Sequence, residues 1–167
     1  MNKLPKLILS DIDGVWTDGS MYYTKQGDAV KRFHTSDSAG VLFCKKLNIP
    51  VGIVTGENHR SVIKRAEKLN LDFVFAGITD KVKTIEKIID KLNIQWSDVA
   101  YIGDDLNDIK VLKRVGFSAT VPSARPYIKK HVQYITSLNG GEGAFRDFVE
   151  KILDDNNKLN FVLKDFE

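Results

Sequence analysis

The chain has 167 residues, 43% of them hydrophobic and 28% charged, which suits one globular domain with a sizeable core and excludes a fibrous or disordered polypeptide. Its 25 basic and 22 acidic residues leave a formal charge of +3, too small and too evenly spread to point to nucleic acid. One cysteine, Cys44, cannot form an internal disulfide, and the longest apolar runs are strand-sized, so a cytoplasmic protein without signal peptide or membrane span is expected.

Leu7, Ile8 and Leu9 form a short apolar run that reads as a buried strand leaving its sheet at Ser10 or Asp11. Asp11 and Asp13 follow, two apart, so extended backbone would point their side chains the same way, and a turn at Gly14 is expected to fold Asp18 beneath them. Carboxylates forced together need a counter-charge, and a hard oxygen site suits magnesium better than zinc. Taken alone, Asp-x-Asp-Gly is equally a solvated strand-to-turn connection.

Met21 to Tyr23 and Ala29 to Phe33, either side of KQGD, predict a hairpin within residues 20–34 that either flanks the site or offers its aromatic edge to another subunit. Ser36 or Asp37 can cap a helix through Ala39, Val41, Leu42 and Leu47, stopping near Asn48 and Pro50, with Cys44 among its core residues. VGIVTG is then a buried strand that delivers Thr55 and the flexible backbone of Gly56 to the edge where Asp11 lies. A helix from Arg60 to Leu69 follows, with Arg65 and Lys68 three apart on a neighbouring face. Asp72 to Ala76 gives another strand, and Lys81 stands where the loop GITDK enters a helix striped by Ile85, Ile88, Ile89 and Leu92. Val99 to Gly103 is the fourth strand of the series and ends in GDDLND, with Asp104 and Asp105 at the edge and Asp108 one turn into a helix. Phe117 to Val121, an edge strand at Gln133 to Thr136 and a helix carrying Ala144, Phe145, Phe148, Val149 and Ile152 complete the body at residues 1–153. The tail, residues 154–167, keeps five apolar residues and is expected to dock on the body or on a partner chain.

Strands near residues 9, 53, 74 and 102 alternate with helices, which predicts a Rossmann-like three-layer α/β/α sandwich with a mostly parallel sheet and no inserted cap domain. Its loops converge on one edge and bring together Asp11, Asp13, Thr55, Lys81, Asp104 and Asp108. That set offers a nucleophile, an adjacent acid, a hydroxyl and an ammonium for phosphoryl oxygens, and carboxylates for a metal, which is the inventory of phosphoryl transfer. No GxGxxG or GK[ST] signature is present, and His34, His59 and His131 match no metal-ligand spacing.

DIDGVWTD, VTG, the lysine of TDK and GDDLND resemble, in order and spacing, the four motifs of the haloacid dehalogenase-like phosphatase superfamily. The resemblance implies that Asp11 is the nucleophile, that Asp13 is the general acid and then the base, and that Thr55 and Lys81 hold the phosphoryl group. It also implies magnesium on Asp11, the Asp13 main-chain carbonyl and Asp104, with Asp108 orienting Lys81 or a metal-bound water. VWTDG, the hairpin and GGEGAFRDF look like the capless phosphatases of 3-deoxy-2-keto sugar acids, a group of homotetramers whose neighbouring subunits complete the active sites. TGEN, RAEKL and GGEGAFR resemble more closely the enzymes of that group acting on a nine-carbon acid, the nononate 9-phosphate; those for the eight-carbon octulosonate 8-phosphate usually read TGR. The nine-carbon resemblance implies substrate contacts from Thr55, Gly56, Glu57 and Lys81, with Arg65 and Lys68 reaching the substrate carboxylate from a neighbouring subunit. The eight-carbon phosphatase is the alternative, and a catalytically inert assembly module is the alternative of a different class.

Overall fold

A computed structural model describes residues 3–166. Six strands form one sheet, β1 (Leu7–Ser10), β4 (Val51–Val54), β5 (Phe73–Phe75), β6 (Val99–Ile102), β7 (Phe117–Thr120) and β8 (Tyr134–Ile135). Their order is β5-β4-β1-β6-β7-β8, and every neighbouring pair is parallel. β1, β4 and β6 are continuous apolar runs because both faces of a parallel sheet are covered, and all their residues are buried.

The chain builds outward from β1 through α1 (Asp37–Lys46), β4, α2 (Arg60–Leu69) and β5, then returns through α3 (Lys81–Leu92) to place β6 on the other side of β1. Right-handed crossovers put α1 and α2 on one face and α3 with α4 (Ile109–Leu112) on the other. The Lys45 ammonium caps α2 at the Leu69 carbonyl (2.7 Å), and α6 (Ala144–Asp155) packs along α1. Reversal of direction between β1 and β6 opens a crevice at their carboxyl ends, the switch point where open α/β sheets bind ligands. Asp11 directly follows β1, and Asp104 lies two residues beyond the end of β6.

The hairpin is shorter than its apolar runs suggest. β2 (Tyr22–Thr24) and β3 (Gly27–Val30) pair antiparallel about Lys25 and Gln26, and the ladder ends before Lys31 as the chain turns back to pack Phe33 on the body. Met21, Tyr22, Tyr23 and Val30 are exposed on it. Nothing among the described residues inserts a cap. Asn48, Asn70 and Asn93 end the first three helices with positive φ, which asparagine tolerates better than other side chains. In the tail, α7 (Leu159–Leu163) buries Val162, whose carbonyl accepts from the Lys46 ammonium at 3.1 Å, while Phe161 and Phe166 stay exposed. Cys44 is a core residue whose thiol burial, helped by Asp72, pushes up to about 12, so it is no nucleophile at neutral pH.

Candidate active site

Asp11 is still anchored to the sheet, since its N–H donates to the Ile102 carbonyl (3.0 Å). The chain then turns within one step, with the N–H groups of Val15, Trp16 and Thr17 all directed at the Ile12 carbonyl. Trp16 locks this turn: its indole N–H donates to Ser10 Oγ (3.0 Å) and its ring stacks on Phe145 at 4.4 Å. Gly14 has a φ of +80°, and a Cβ there would collide with the Asp104 carboxylate, so only glycine lets the two acidic loops meet. Gly140 has a second close approach, because a Cβ would strike the Gly14 carbonyl. The NGGEG loop thus braces the first acidic turn, and the Gly141 N–H donates to the Val15 carbonyl (3.1 Å).

A cavity of about 300 Å³ opens here, lined by Asp11, Asp13, Thr55, Gly56, Glu57 and Asp104 among others. Lys81, the first residue of α3, lies beneath with its side chain 1% exposed. Its Nζ is 3.0 Å from Asp11 Oδ2 and 2.7 Å from Asp108 Oδ1. The Tyr101 hydroxyl donates to the same Asp108 oxygen (2.5 Å), while Asp108 Oδ2 accepts from the Asp104 and Asp105 N–H groups at 3.1 and 3.2 Å. Burial opposes the Lys81 charge, but Asp11 and Asp108 outweigh it and hold the ammonium above its ordinary value. Burial, with Asp108 and Asp11, lifts the Tyr101 phenol well above its usual range, so it remains a donor.

The carboxylates are not balanced by Lys81. Asp11, Asp104 and Asp108 offer oxygens within 4.8 Å of one another, so three carboxylates face one ammonium. Burial and then Asp108 push Asp11 up to about 7 against the pull of Lys81. Burial, then Asp11, Asp108 and Asp105, push Asp104 up to about 8. Asp11 Oδ1, Asp13 Oδ2 and Asp104 Oδ1 are enclosed without a hydrogen-bond partner. Unpartnered hard oxygens with excess negative charge fit a divalent cation. Asp108 belongs to the same cluster, yet its two oxygens already receive four donors, which leaves Asp11 and Asp104 as the side chains free to ligate. The Asp13 carboxylate is turned aside, with Oδ1 on Lys31 Nζ (2.6 Å) and Thr17 Oγ1 (3.2 Å).

These shifts have a thermodynamic consequence. Between the ordinary carboxylate value of 3.8 and about 7 to 8, the cation-free folded chain binds more protons at Asp11 and Asp104 than the unfolded chain does. Its stability therefore falls as pH rises through that window. A cation that binds the ionised carboxylates opposes the fall, so its addition is expected to raise Tm more at pH 8 than at pH 6. Equal increments at the two pH values would show that the cation is not held by these carboxylates.

Thr55 directly follows β4 and is buried, with its N–H on the Phe75 carbonyl (2.9 Å) and its Oγ1 accepting from the Glu57 N–H (3.4 Å). The expected set thus assembles in one cavity for Asp11, Asp13, Thr55, Gly56, Glu57 and Asp104, with Lys81 and Asp108 as its floor. Arg65 and Lys68 stand apart from it. The Arg65 guanidinium donates to the His34 carbonyl (3.3 Å) and lies 6.0 Å from the centre of the Phe33 ring, and Lys68 borders a different cavity with Leu42 and Lys45. The expected place of Asp18 beneath Asp11 and Asp13 is corrected. It lies outside the cavity, paired with Arg32 (3.1 Å), because the turn at Gly14 carries the chain outward instead of back under the acids. Asp108 falls one turn into a helix as expected, that first turn being 3-10 (Leu106–Asp108) and running directly into α4. The sequence reading missed Tyr101 and Lys31. A hydroxyl inside the otherwise apolar run VAYI was a usable signal for Tyr101, since a buried phenol needs a partner.

Residues 73–146 match the model of the haloacid dehalogenase-like hydrolases. The chain is 35% identical over 154 residues to the 3-deoxy-D-manno-octulosonate 8-phosphate phosphatase KdsC of Yersinia pestis, covering 92% of this chain and 82% of that one. The 3-deoxy-D-manno-octulosonate 8-phosphate phosphatase of Moraxella catarrhalis, solved with magnesium, phosphate and KDO, superposes with a TM-score of 0.93 at 34% identity, covering 98% of this chain and 94% of that one. The cobalt-bound phosphatase of Haemophilus influenzae gives 0.88 at 31% identity, covering 93% and 91%. Together with a sheet whose switch point gathers the acidic motifs, these likenesses place the chain: it belongs to the haloacid dehalogenase-like hydrolase family.

Proposed function

We propose that this phosphatase uses magnesium to release the terminal phosphate of a 3-deoxy-2-keto sugar acid, with the nine-carbon nononate 9-phosphate as its preferred substrate. The observation that carries the chemistry is the enclosed Asp11–Lys81–Asp108 arrangement beside the free oxygens of Asp11 and Asp104. Asp11 attacks phosphorus and the bond to the sugar oxygen breaks, with Asp13 giving that oxygen its proton. Asp13 then takes a proton from the water that attacks the aspartyl-phosphate, which returns Asp11 and frees inorganic phosphate. Lys81 is fixed by Asp108 where it can neutralise phosphoryl oxygens, and the Thr55 hydroxyl offers them a hydrogen bond. Asp11, Asp104 and the Asp13 main-chain carbonyl would hold the magnesium ion, which when bound would supply positive charge for the phosphoryl group.

Glu57 supports the nine-carbon reading. It lines the cavity two residues beyond Thr55, and there a carboxylate accepts from sugar hydroxyls, whereas an arginine would present a cation with five donors. The eight-carbon reading is favoured by the relatives, since the Yersinia and Moraxella proteins are octulosonate 8-phosphate phosphatases. A homotetramer in which Arg65 and Lys68 serve a neighbour's substrate agrees with their place outside this chain's own cavity and with the exposed residues of the hairpin. No helix among the described residues is long and apolar enough to cross a membrane, and a cytoplasmic location is part of the proposal.

Side-by-side kcat/KM values for the two sugar acid phosphates at saturating magnesium decide between the readings. The nononate ester is expected to lead, and Glu57→Ala to narrow its lead by about 1–3 kcal/mol of discrimination, the scale of one specificity contact. A reproducible preference for the octulosonate ester in the parent chain would establish the eight-carbon reading instead. Solution mass is the second readout, and a fully active monomer would overturn the shared site.

A further inference from the structure

Lys31 lies eighteen residues beyond Asp13, just past the end of β3, yet its side chain is only 4% exposed. Its stem borders a narrow crevice with Met21, Tyr22, Val30 and His59, and its ammonium is 2.6 Å from Asp13 Oδ1. Thr17 Oγ1 donates to the same oxygen at 3.2 Å, and Thr17 in turn accepts from the Gly19 N–H at 3.3 Å. Both donors therefore act on one oxygen of the carboxylate, one from the acidic turn and one from the hairpin. Asp13 Oδ2 is enclosed and makes no hydrogen bond. Rotation of the carboxylate would break both bonds to Oδ1 together.

A lysine could simply fasten the hairpin to the body, but its placement argues for more. Surface ion pairs contribute little, and long lysine stems are seldom immobilised for them. Here the stem is enclosed and the ammonium is spent on the one carboxylate that must meet a leaving oxygen at a defined distance and angle. Loss of such alignment is what general acid catalysis tolerates least.

We propose that Lys31 is a positioning residue for Asp13, so that the hairpin orients the catalytic acid as well as presenting an exposed surface. The inference rests on Asp13 being the acid, and it deepens that assignment. Protonation matters most for a poor leaving group, such as a sugar alkoxide, and little for 4-nitrophenolate, which departs unaided.

The test compares a hexose 6-phosphate with 4-nitrophenyl phosphate at saturating magnesium. Lys31→Met is expected to lower kcat for the alkyl ester roughly 10- to 100-fold more than for the aryl ester, a fraction of what an acid supplies. Lys31→Arg is expected to restore most of the loss. In an Asp13→Asn background Lys31→Met is expected to cost nothing further, because the two act as a unit. Thr17→Val removes the other donor without touching the hairpin and is expected to show the same selectivity to a smaller extent, which guards against a misfolded Lys31 variant. Equal losses on both esters in Lys31→Met and Thr17→Val, or additive losses with Asp13→Asn, would reduce Lys31 to a tether and overturn the proposal. Should Asp13→Asn itself lack the alkyl selectivity, the acid assignment falls and takes this inference with it. Selectivity in Asp13→Asn alone defeats only the role of Lys31.

Discussion

Asp11→Asn is expected to lower kcat by roughly four orders of magnitude or more, the scale seen when a nucleophile is removed from a catalytic unit. The amide is nearly isosteric, but it cannot attack phosphorus and leave a covalent intermediate that water resolves. The fold has little reason to suffer. Asp11 is buried and its carboxyl is pushed up to about 7, so its charge in the cation-free protein works against folding at neutral pH. Lys81 loses one partner and retains Asp108 at 2.7 Å, and the Asp11 main chain keeps its bond to the Ile102 carbonyl. The cation-free variant is therefore expected to melt at or above the parent Tm at pH 8, with turnover gone. Substantial activity in the variant, or a phosphorylated aspartate trapped at another position, would remove Asp11 from the role of nucleophile.

The alternation of strand and helix was legible because a parallel sheet buries both faces of its strands. LILS, VGIV and VAYI could be read as apolar runs without periodicity, and the acidic or hydroxyl residues that follow them fall at one edge once the strands are parallel. The hairpin was legible in kind but not in extent. Its ladder is ended by the turn of the chain toward the body after Val30, which local propensity does not encode. Lys31 was invisible for the same reason: a lysine in KRFH has the look of solvated surface, and only the tertiary path of the hairpin lays it on Asp13. Asp18 was misplaced because glycine at position 14 permits a turn without fixing where its far end points. Arg65 and Lys68 show the limit from the other side. Helix spacing sets the pair side by side, but the cavity that Lys68 borders depends on α1, whose Leu42 and Lys45 share the space.

The floor of the site is a closed circuit in which each group settles the state of the next. Asp11 and Asp108 keep Lys81 charged, Tyr101 and Lys81 share one Asp108 oxygen, and the other fastens the main chain of Asp104 and Asp105. The circuit fixes both the Lys81 ammonium at the floor of the cavity and the loop that carries Asp104. It also gives a fully buried aspartate, whose two oxygens receive four donors, a structural reason to occupy the end of the GDDLND motif.

Asp108→Ala is accordingly expected to be the most damaging substitution to stability in the site. It leaves the Tyr101 O–H and the Asp104 and Asp105 N–H groups without their acceptor, and it leaves a buried ammonium with Asp11 as its one carboxylate and a long contact to the Tyr101 hydroxyl (3.4 Å). Breaking a buried ion pair from one side typically costs about 3–5 kcal/mol, a large share of the stability of a domain of this size. Tyr101→Phe gives the contrast, since it removes one hydroxyl and leaves Lys81 and both N–H groups served; its cost is expected near 1 kcal/mol. Denaturant midpoints for the two variants measure the difference, and magnesium titrations of activity measure how far the Asp104 loop has moved. Asp108→Ala is expected to need roughly 10- to 100-fold more cation for half-maximal activity, the usual effect of losing a group that orients a ligand. An Asp108→Ala protein with parental stability and parental cation requirement would mean that Lys81 and the Asp104 loop are held by something other than this carboxylate.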